Sequence, residues 1–567
     1  MAKKVQIMKL EKMTLEAMLR NSAEKYGDQP ALALIDSEPL TYSELERLAE
    51  KTAEHLLASG MGKGSNVAIL GENMPNWVVS YFAIALSGAS AVPILPDFKD
   101  TEIETIVKHA GCKLIFVSEK LYPKVSKLCS EGLIAVKMET LEFPKPVKSG
   151  QAVNLKDIEH NEDDVASIIY TSGTTGSSKG VMLTNRNIVS NAITSSVIPE
   201  MVERERFVSI LPLSHSYECT IGMLVPISAG AAIYYLGKPP VPNVLLPALE
   251  KIKPGVMLSV PLLIEKIYRQ KIYKTFTEKK ITRKLYAVPV FRRILNRIAG
   301  IKLKKLFGGR IYFFGVGGAP LAPDVEKFLR EAKFPYAIGY GLTETSPLIA
   351  GDNATFTKYR STGRILAGVE VKLDKSVGEG ENGEILVKGP NVMKGYYRDE
   401  KLTSEVFTED GWFRTGDLGS FGKNGYLYIK GRIKNMILGP SGENIYPESI
   451  ESVINSCAFV EDSVVVEDKG ILVALVQLNY EDLKNKFEEI KEDAAESGRQ
   501  IQDYFSNHLA EIKKNVNAQL NNFSKIGLML EQKNPFEKTP TKKIKRYLYQ
   551  NLKMFEKKED PQTGGEV

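Results

Sequence analysis

The sequence predicts an α/β fold spread over more than one domain. Three observations carry this expectation. The chain has 567 residues, more than a single hydrophobic core organises. Through its first two thirds, apolar strand-like runs alternate with helical patterns, the signature of largely buried sheets with helices between them. After about residue 365 the texture changes to short strands separated by glycine turns.

The elements follow in order. "NVAIL" (66–70) reads as a strand, "NWVVSYFAIALSGA" as a helix, and "SAVPIL" as the next strand. "KLIFVS" (113–118) follows another helical pattern. "VASIIYTSG" is a strand running into a polar loop, and "GVMLTNRNIVSNAITSS" is expected to be the helix on its far side. "RFVSILPLSH" and "RIYFFGVGGAP" are strands ending in loops, the places where open α/β sheets bind ligands. The uncharged stretch Cys219 to Gly237 carries Gly222, Pro226 and Gly230, so it reads as a buried helix, a turn and a strand, too interrupted for a membrane span. "VEVKLD", "GEILVKG", "YLYIKG" and "VVVE" are the strands of the later region. A long charged helix is expected from Tyr480 to about Asn522, and the tail 556–567 is expected to be disordered.

Composition narrows the function. Charged residues are 25% and the net charge is +6, a soluble globular balance that gives no footprint for nucleic acid. Four cysteines, widely spaced, and five histidines without metal-ligand spacing argue against a zinc site or a disulfide framework. The N-terminus "MAKKVQIMKLEKM" lacks the apolar run of a signal peptide, so a cytoplasmic location is expected, with peripheral attachment to the inner face of a membrane left open.

The most informative stretch is "YTSGTTGSSKG" (170–180). Glycines let backbone N–H groups approach a phosphate, Thr171, Ser172, Thr174 and Thr175 add hydroxyl donors, and Lys179 adds charge. A kinase-type P-loop reads G-x-x-x-x-G-K-[ST]. Here Gly180 stands where the magnesium-binding hydroxyl would be, so the metal ligand must come from elsewhere. Taken alone, such a Ser/Thr/Gly cluster is as well read as a solvated loop.

In its full length the stretch resembles the phosphate loop of the adenylate-forming enzymes, the superfamily of acyl-CoA synthetases, peptide-synthetase adenylation domains and luciferase. Ser178 replaces the usual proline before the lysine. Further segments resemble the family's remaining motifs in order: "GYGLTETSP" (339–347), "GWFRTGDLG" (411–419), "YLYIKGRIKNMILGPSGENIYPESIE" (426–451) and "KTPTKKIKR" (538–546). The likeness runs from about residue 12 to 550.

The resemblance implies a large multi-sheet N-terminal AMP- and acyl-binding domain (1–431), a hinge (432–436) and a small mobile α+β C-terminal lid domain (437–555). It implies ATP, Mg²⁺ and a thiol substrate, either CoA or holo acyl carrier protein. Lys179 and the loop Thr171, Ser172, Gly173, Thr174, Thr175 and Gly176 would hold the β- and γ-phosphates. Glu344 would supply the Mg²⁺ oxygen ligand and Thr343 would reach the α-phosphate. Asp417 and Arg432 would bind the ribose. Tyr340 and Gly341 on one side, and Gly317, Gly318 and Ala319 on the other, would enclose the adenine. His215 would lie near the substrate carboxylate. Lys543 would stabilise charge on the carboxylate and α-phosphate in the adenylation step alone. Spacing to Ile544 and Arg546 favours it over Lys542, which replaces the family's glycine. Lys434 would be the hinge residue, and Gly442 would let the pantetheine thiol pass after the lid rotates.

The acid expected is a long-chain fatty acid. Residues 266–310 form a helical segment typical of the long-chain acyl-CoA synthetases, and hold fifteen Lys/Arg against one acid, Glu278, with aromatics and leucines between. That composition suits an anionic membrane surface, an acidic acyl carrier protein or the CoA phosphates. A long-chain fatty acid–CoA ligase is the first expectation, a long-chain acyl-[acyl-carrier-protein] synthetase the alternative.

Overall fold

Alternating apolar runs and amphipathic helices build two seven-stranded sheets in the computed structural model of the chain. The structure describes residues 7–144, 155–172, 178–378, 380–439, 443–480, 483, 499–539 and 543–550. The first sheet runs Gly395–Tyr396, Ser178–Thr184, Val165–Ser172, Ser90–Ile94, Asn66–Leu70, Leu114–Val117 and Ile134–Lys137, its last five strands parallel. The second runs Tyr336–Ile338, Phe313–Val316, Val256–Ser259, Arg206–Ser209, Ala232–Tyr235, Pro30–Leu34 and Leu40–Thr41, parallel but for its final pair. Helices pack between and around them. Pro75–Leu86 is apolar on all sides and buries Trp77, Tyr81 and Phe82, as a helix between two sheets must.

The strand-rich part forms a four-stranded antiparallel sheet, Glu370–Asp374, Gly383–Lys388, Phe413–Phe421 and Leu427–Arg432. Beyond it lie a short pair, Ile437–Leu438 with Asn444–Ile445, and a three-stranded sheet, Val460–Asp468, Ile471–Leu478 and Ile526–Glu531. The hydrophobic clusters divide at the same place. Those of the earlier sheets draw on residues up to Ile429, and those of the last sheet on residues from Ile437 onward.

Most expected elements stand where the sequence put them. Cys219 to Gly237 is helix, turn and strand, and 266–310 is helical through Pro261–Ile267, Tyr268–Tyr273, Lys274–Thr277, Lys280–Ala287 and Pro289–Leu306. The phosphate-loop neighbourhood is a correction. The loop joins two antiparallel strands, with Thr171 opposite Lys179, and the helix begins only at Asn185. The reason is local. "GVMLT" is an apolar, β-branched run that continues the sheet. Thr184 caps the helix, accepting from Asn187 N while the Asn187 side chain accepts from Thr184 N at 2.9 Å. Packing at Gly180 is tight, since a Cβ there would sit 3.0 Å from Ile168 and 3.1 Å from the Tyr170 ring. Of the expected charged helix after Tyr480, Arg499–Asn517 is described; 484–498 and the tail 556–567 lie outside the described residues.

Candidate active site

Three sheets send strand ends to one cleft. Asp417 and Arg432 are Cα partners on adjacent antiparallel strands, which brings their side chains together: Arg432 Nε lies 2.9 Å from Asp417 Oδ1. The Tyr340 hydroxyl donates to Asp417 Oδ2 at 2.8 Å. Burial pushes the Asp417 carboxyl up and Arg432 holds it down, while Asp417 raises the guanidinium in turn. With two donors on its two oxygens and a guanidinium that is always charged, the pair is ionic. Burial, with Asp417 adding to it, drives the Tyr340 phenol well above its ordinary range, so it donates and does not ionise.

Tyr340 and Gly341 open a short strand that pairs with Leu348–Gly351. Gly341 has no room for a side chain, because a Cβ would fall 1.8 Å from the Pro347 carbonyl oxygen. Thr343 and Glu344 follow on a single helical turn. That turn is tied down by Thr345, whose hydroxyl donates to the Pro347 carbonyl at 2.6 Å, and by Met393 N, which donates to the Glu344 carbonyl at 2.8 Å. Glu344 Oε1 accepts from the Tyr396 hydroxyl at 2.9 Å, and the Lys179 ammonium stands over the Tyr396 ring, 5.5 Å from its centroid. Tyr396 is a site residue that motif reading missed. Its only signal is "GYYRD", a tyrosine pair after a glycine, which names no partner.

On the second sheet, Gly317 ends the strand Phe313–Val316, buried against the Tyr217 ring, and Gly318 and Ala319 emerge exposed. His215 lies in the loop after Arg206–Ser209. The backbone N–H of Tyr217 donates to His215 Nδ1 at 3.2 Å, so Nδ1 carries no proton and Nε2 does. Burial first, and the Lys543 charge second, push His215 down to about 4, so it is neutral at physiological pH. Behind it the carboxyl of Glu218 is buried, accepts from Ser209 Oγ at 2.5 Å and is pushed by burial up to about 8. Asn73 bridges Ser209 Oγ at 3.0 Å and the Leu211 carbonyl at 2.6 Å, and accepts from Leu213 N at 2.9 Å. This relay fixes the His215 loop, and no sequence pattern announced it.

Lys543 comes from the far end of the chain. Its backbone is held by Thr539, which donates N–H to the Lys543 carbonyl at 2.7 Å and accepts from Lys543 N at 3.1 Å. The residue is exposed to solvent, yet its ammonium stands among protein groups. Desolvation lowers its pKa, Arg432 lowers it further, and Asp417 and Glu344 oppose both. Lys543 is thus in electrostatic contact with Asp417 and Arg432 of the four-stranded sheet, Glu344 of the turn after Tyr340–Gly341, and His215 of the second sheet.

Lys434 is exposed on the turn Ile433–Asn435, directly after the strand that ends in Arg432. Gly173, Thr174, Thr175, Gly176 and Gly442 lie outside the described residues, and for Ser172 only the backbone is described. Among the described residues no three His, Cys, Asp or Glu side chains gather as a metal cage. Glu344 offers one hard oxygen ligand beside two lysines. That donor set fits Mg²⁺ arriving with a polyphosphate, which keeps waters and phosphate oxygens as its other ligands.

Comparison with known proteins names this arrangement. A family model described as "AMP-binding enzyme" matches residues 19–397, two thirds of the chain and most of the cleft. The chain belongs to the AMP-binding enzyme family. Among curated relatives, a long chain acyl-CoA synthetase 6, peroxisomal, of Arabidopsis thaliana is 32% identical over 490 residues, covering 79% of this chain and 69% of its own. A putative acyl-CoA synthetase, YngI, of Bacillus subtilis (strain 168) is 30% identical over 497 residues, covering 80% and 84%. Among solved structures, the O-succinylbenzoate coenzyme A synthetase (MenE) of Bacillus subtilis in complex with ATP and magnesium superposes with a TM-score of 0.71 at 24% identity, over 94% of this chain and 98% of that one. The α/β fold expected from the sequence is the fold of this AMP-binding family.

Proposed function

We infer that this AMP-binding enzyme is a long-chain fatty acid–CoA ligase. It is an AMP-forming acid–thiol ligase. A fatty-acid carboxylate oxygen attacks the α-phosphorus of ATP, the bond to the β-phosphate oxygen breaks, and pyrophosphate leaves. The CoA thiolate then attacks the acyl carbonyl of the acyl-AMP, and AMP leaves. The observation that carries the adenylation chemistry is Lys543 lying among Asp417, Arg432, Glu344 and His215, a cation delivered by the C-terminal part to a cleft built by the N-terminal part; the likeness to long chain acyl-CoA synthetases supports the long-chain acid and the CoA acceptor.

The resemblance to the family gives each residue its role. Asp417 accepts from the ribose hydroxyls, with Arg432 and Tyr340 holding its oxygens, and Tyr340, Gly341, Gly317, Gly318 and Ala319 would enclose the adenine. Lys179, with Thr171 and the loop through Ser172, Gly173, Thr174, Thr175 and Gly176, holds the β- and γ-phosphates. Glu344 would hold the Mg²⁺ that accompanies them, which would supply charge neutralisation at the phosphates, and Thr343 would reach the α-phosphate. His215, a neutral Nε2–H donor, orients the carboxylate. Lys543 meets the charge that grows on the α-phosphate in the transition state. The division into a domain of 1–431, a hinge at 432–436 with Lys434, and a lid of 437–555 is supported by the separation of hydrophobic clusters on either side of it. Rotation of that lid would withdraw Lys543 and bring Gly442 to the thiol path.

Product analysis tests the reading. The chain is incubated with Mg-ATP and fatty acids from butanoate to octadecanoate, each with CoA, with holo acyl carrier protein, or with neither. AMP and a long-chain acyl-CoA are expected. Thioester formed only on carrier protein would replace the acceptor, and no AMP with any pair from folded protein would overturn the ligase.

A further inference from the structure

The helix Pro289–Leu306 has two apolar faces, and only one is covered. The inner face buries Asn296, Ala299, Gly300 and Leu303 against the helix Pro323–Ala332. Contact there is so close that a Cβ on Gly300 would fall 2.3 Å from the Ala332 carbonyl oxygen. Arg292 and Asn296 fasten the same face to Glu331, at 2.9 and 2.7 Å. The outer face carries Val290, Phe291, Ile294, Ile298 and Ile301, all exposed, Ile301 at 69%. Their spacing of three and four residues makes one stripe along the helix. The preceding helix, Lys280–Ala287, continues it with Ile281, 76% exposed, and Leu285, four residues on. The two helices are joined by the Tyr286 hydroxyl, which donates to Asn296 at 3.0 Å.

Exposed apolar side chains scattered singly are ordinary, but a run along one helix face is not. The charges beside it complete the pattern. At helical spacing, Arg293, Arg297 and Lys304 border one edge of the stripe and Lys302 the other, all exposed. Lys284 does the same for the preceding helix. None of these five is in a salt bridge among the described residues; the acids nearby serve Arg292 and Arg269. No helix among the described residues is long and apolar enough to cross a membrane. An apolar stripe edged with cations, on a helix that cannot span, is the profile of an element lying in the headgroup plane of a bilayer.

We propose that the outer face of Lys280–Leu306 docks this enzyme on an anionic lipid leaflet. The isoleucines enter the acyl boundary, and the arginines and lysines meet phosphate groups. Charge alone would serve an acidic carrier protein equally well; the uncovered apolar stripe running along both helices favours lipid, whose acyl chains would cover it over its whole length. The proposal rests on the long-chain reading only for its purpose, since a long acid partitions into bilayers and is collected there.

Co-sedimentation with vesicles tests it. The full chain is expected to pellet with phosphatidylcholine vesicles containing phosphatidylglycerol, less so as salt rises, and to stay in the supernatant with phosphatidylcholine alone. The pair Ile294→Asp and Ile298→Asp should lower the bound fraction about tenfold, and the pair Arg293→Glu and Arg297→Glu by a similar factor. Both should leave AMP release from octanoate, a soluble acid, unchanged, which also reports correct folding. Absence of binding, equal binding to neutral vesicles, or wild-type binding by the isoleucine pair would overturn the proposal. So would capture by holo acyl carrier protein that the arginine pair loses and the isoleucine pair keeps. Vesicle binding without AMP from any acid would remove the ligase reading and leave the docking face standing.

Discussion

Arg432 Nε and Asp417 Oδ1 lie 2.9 Å apart because their residues are partners on adjacent strands. The sheet therefore holds this ion pair in place before any nucleotide arrives, and the second carboxylate oxygen is held by Tyr340 at 2.8 Å. A preorganised acceptor of this kind costs little ordering entropy when a ribose binds.

Asp417→Ala should raise KM for ATP about tenfold to a hundredfold, the scale of lost hydrogen bonds to a charged group. KM for the fatty acid should change little. Steady-state kinetics with each substrate varied in turn decides it; a larger effect on the fatty acid would remove the ribose assignment.

Lys543→Ala tests the two-conformation proposal. It should slow acyl-AMP formation about a hundredfold to a thousandfold, as loss of one transition-state charge donor does. Thioester formation from supplied acyl-AMP should stay within a few-fold of wild type, because Lys543 has left the cleft by then. Single-turnover pyrophosphate release measures the first and acyl-CoA yield the second. Equal loss of both half-reactions would sink the rotating-lid account.

What was legible in the sequence was whatever has a local signal. Strand and helix periodicity located the sheets, and the motifs located Asp417, Tyr340, Glu344, Arg432 and Lys543, which the fold then gathers. What was not legible depends on partners distant in sequence. Tyr396 meets Glu344 across 52 residues, and Asn73 meets Ser209 across 136, with nothing local to mark either. The strand Ser178–Thr184 was read as part of a helix because its capping threonine lies at its end, and the helix pattern beyond the cap was extended backwards. The basic composition of 266–310 was plain, but which faces of its helices are covered is decided by the neighbouring helix Pro323–Ala332.

Glu218 gives a pH prediction. Its folded pKa is raised to about 8 by burial, against 4.5 for the free group. Between those values the unfolded chain releases a proton that the folded chain keeps, so the unfolded state binds fewer protons and stability falls as pH rises. Below 4.5 and above about 8 the contribution of Glu218 no longer changes with pH. Glu218→Gln removes the titration and keeps the shape. The Tm of the variant should therefore gain on wild type as pH is raised from about 5 to about 8, and then level off. A Tm difference independent of pH would show that Glu218 is ionised in the folded protein.

Arg269 gives the last prediction. Its Nη1 donates to the Ser456 carbonyl at 3.1 Å and lies 3.3 Å from Asp324 Oδ2. Ser456 belongs to the part of the chain after the proposed hinge and Asp324 to the part before it, so this guanidinium fastens one to the other in the arrangement that puts Lys543 in the cleft. If the lid turns between half-reactions, the Arg269–Ser456 bond has to break. Arg269→Ala then weakens one arrangement only. With a hydrogen bond from a charged donor lost, acyl-AMP formation should slow by about tenfold. Thioester formation from supplied acyl-AMP should be unchanged or faster, because the closed arrangement no longer competes as strongly for the lid. The ratio of the two single-turnover rates is the readout. Double substitution with Lys543→Ala should add nothing to the adenylation defect beyond Lys543→Ala alone, since Arg269 acts by holding that lysine in place. Fully multiplicative losses would mean that Arg269 supports the fold of the helical segment and not the position of the lid.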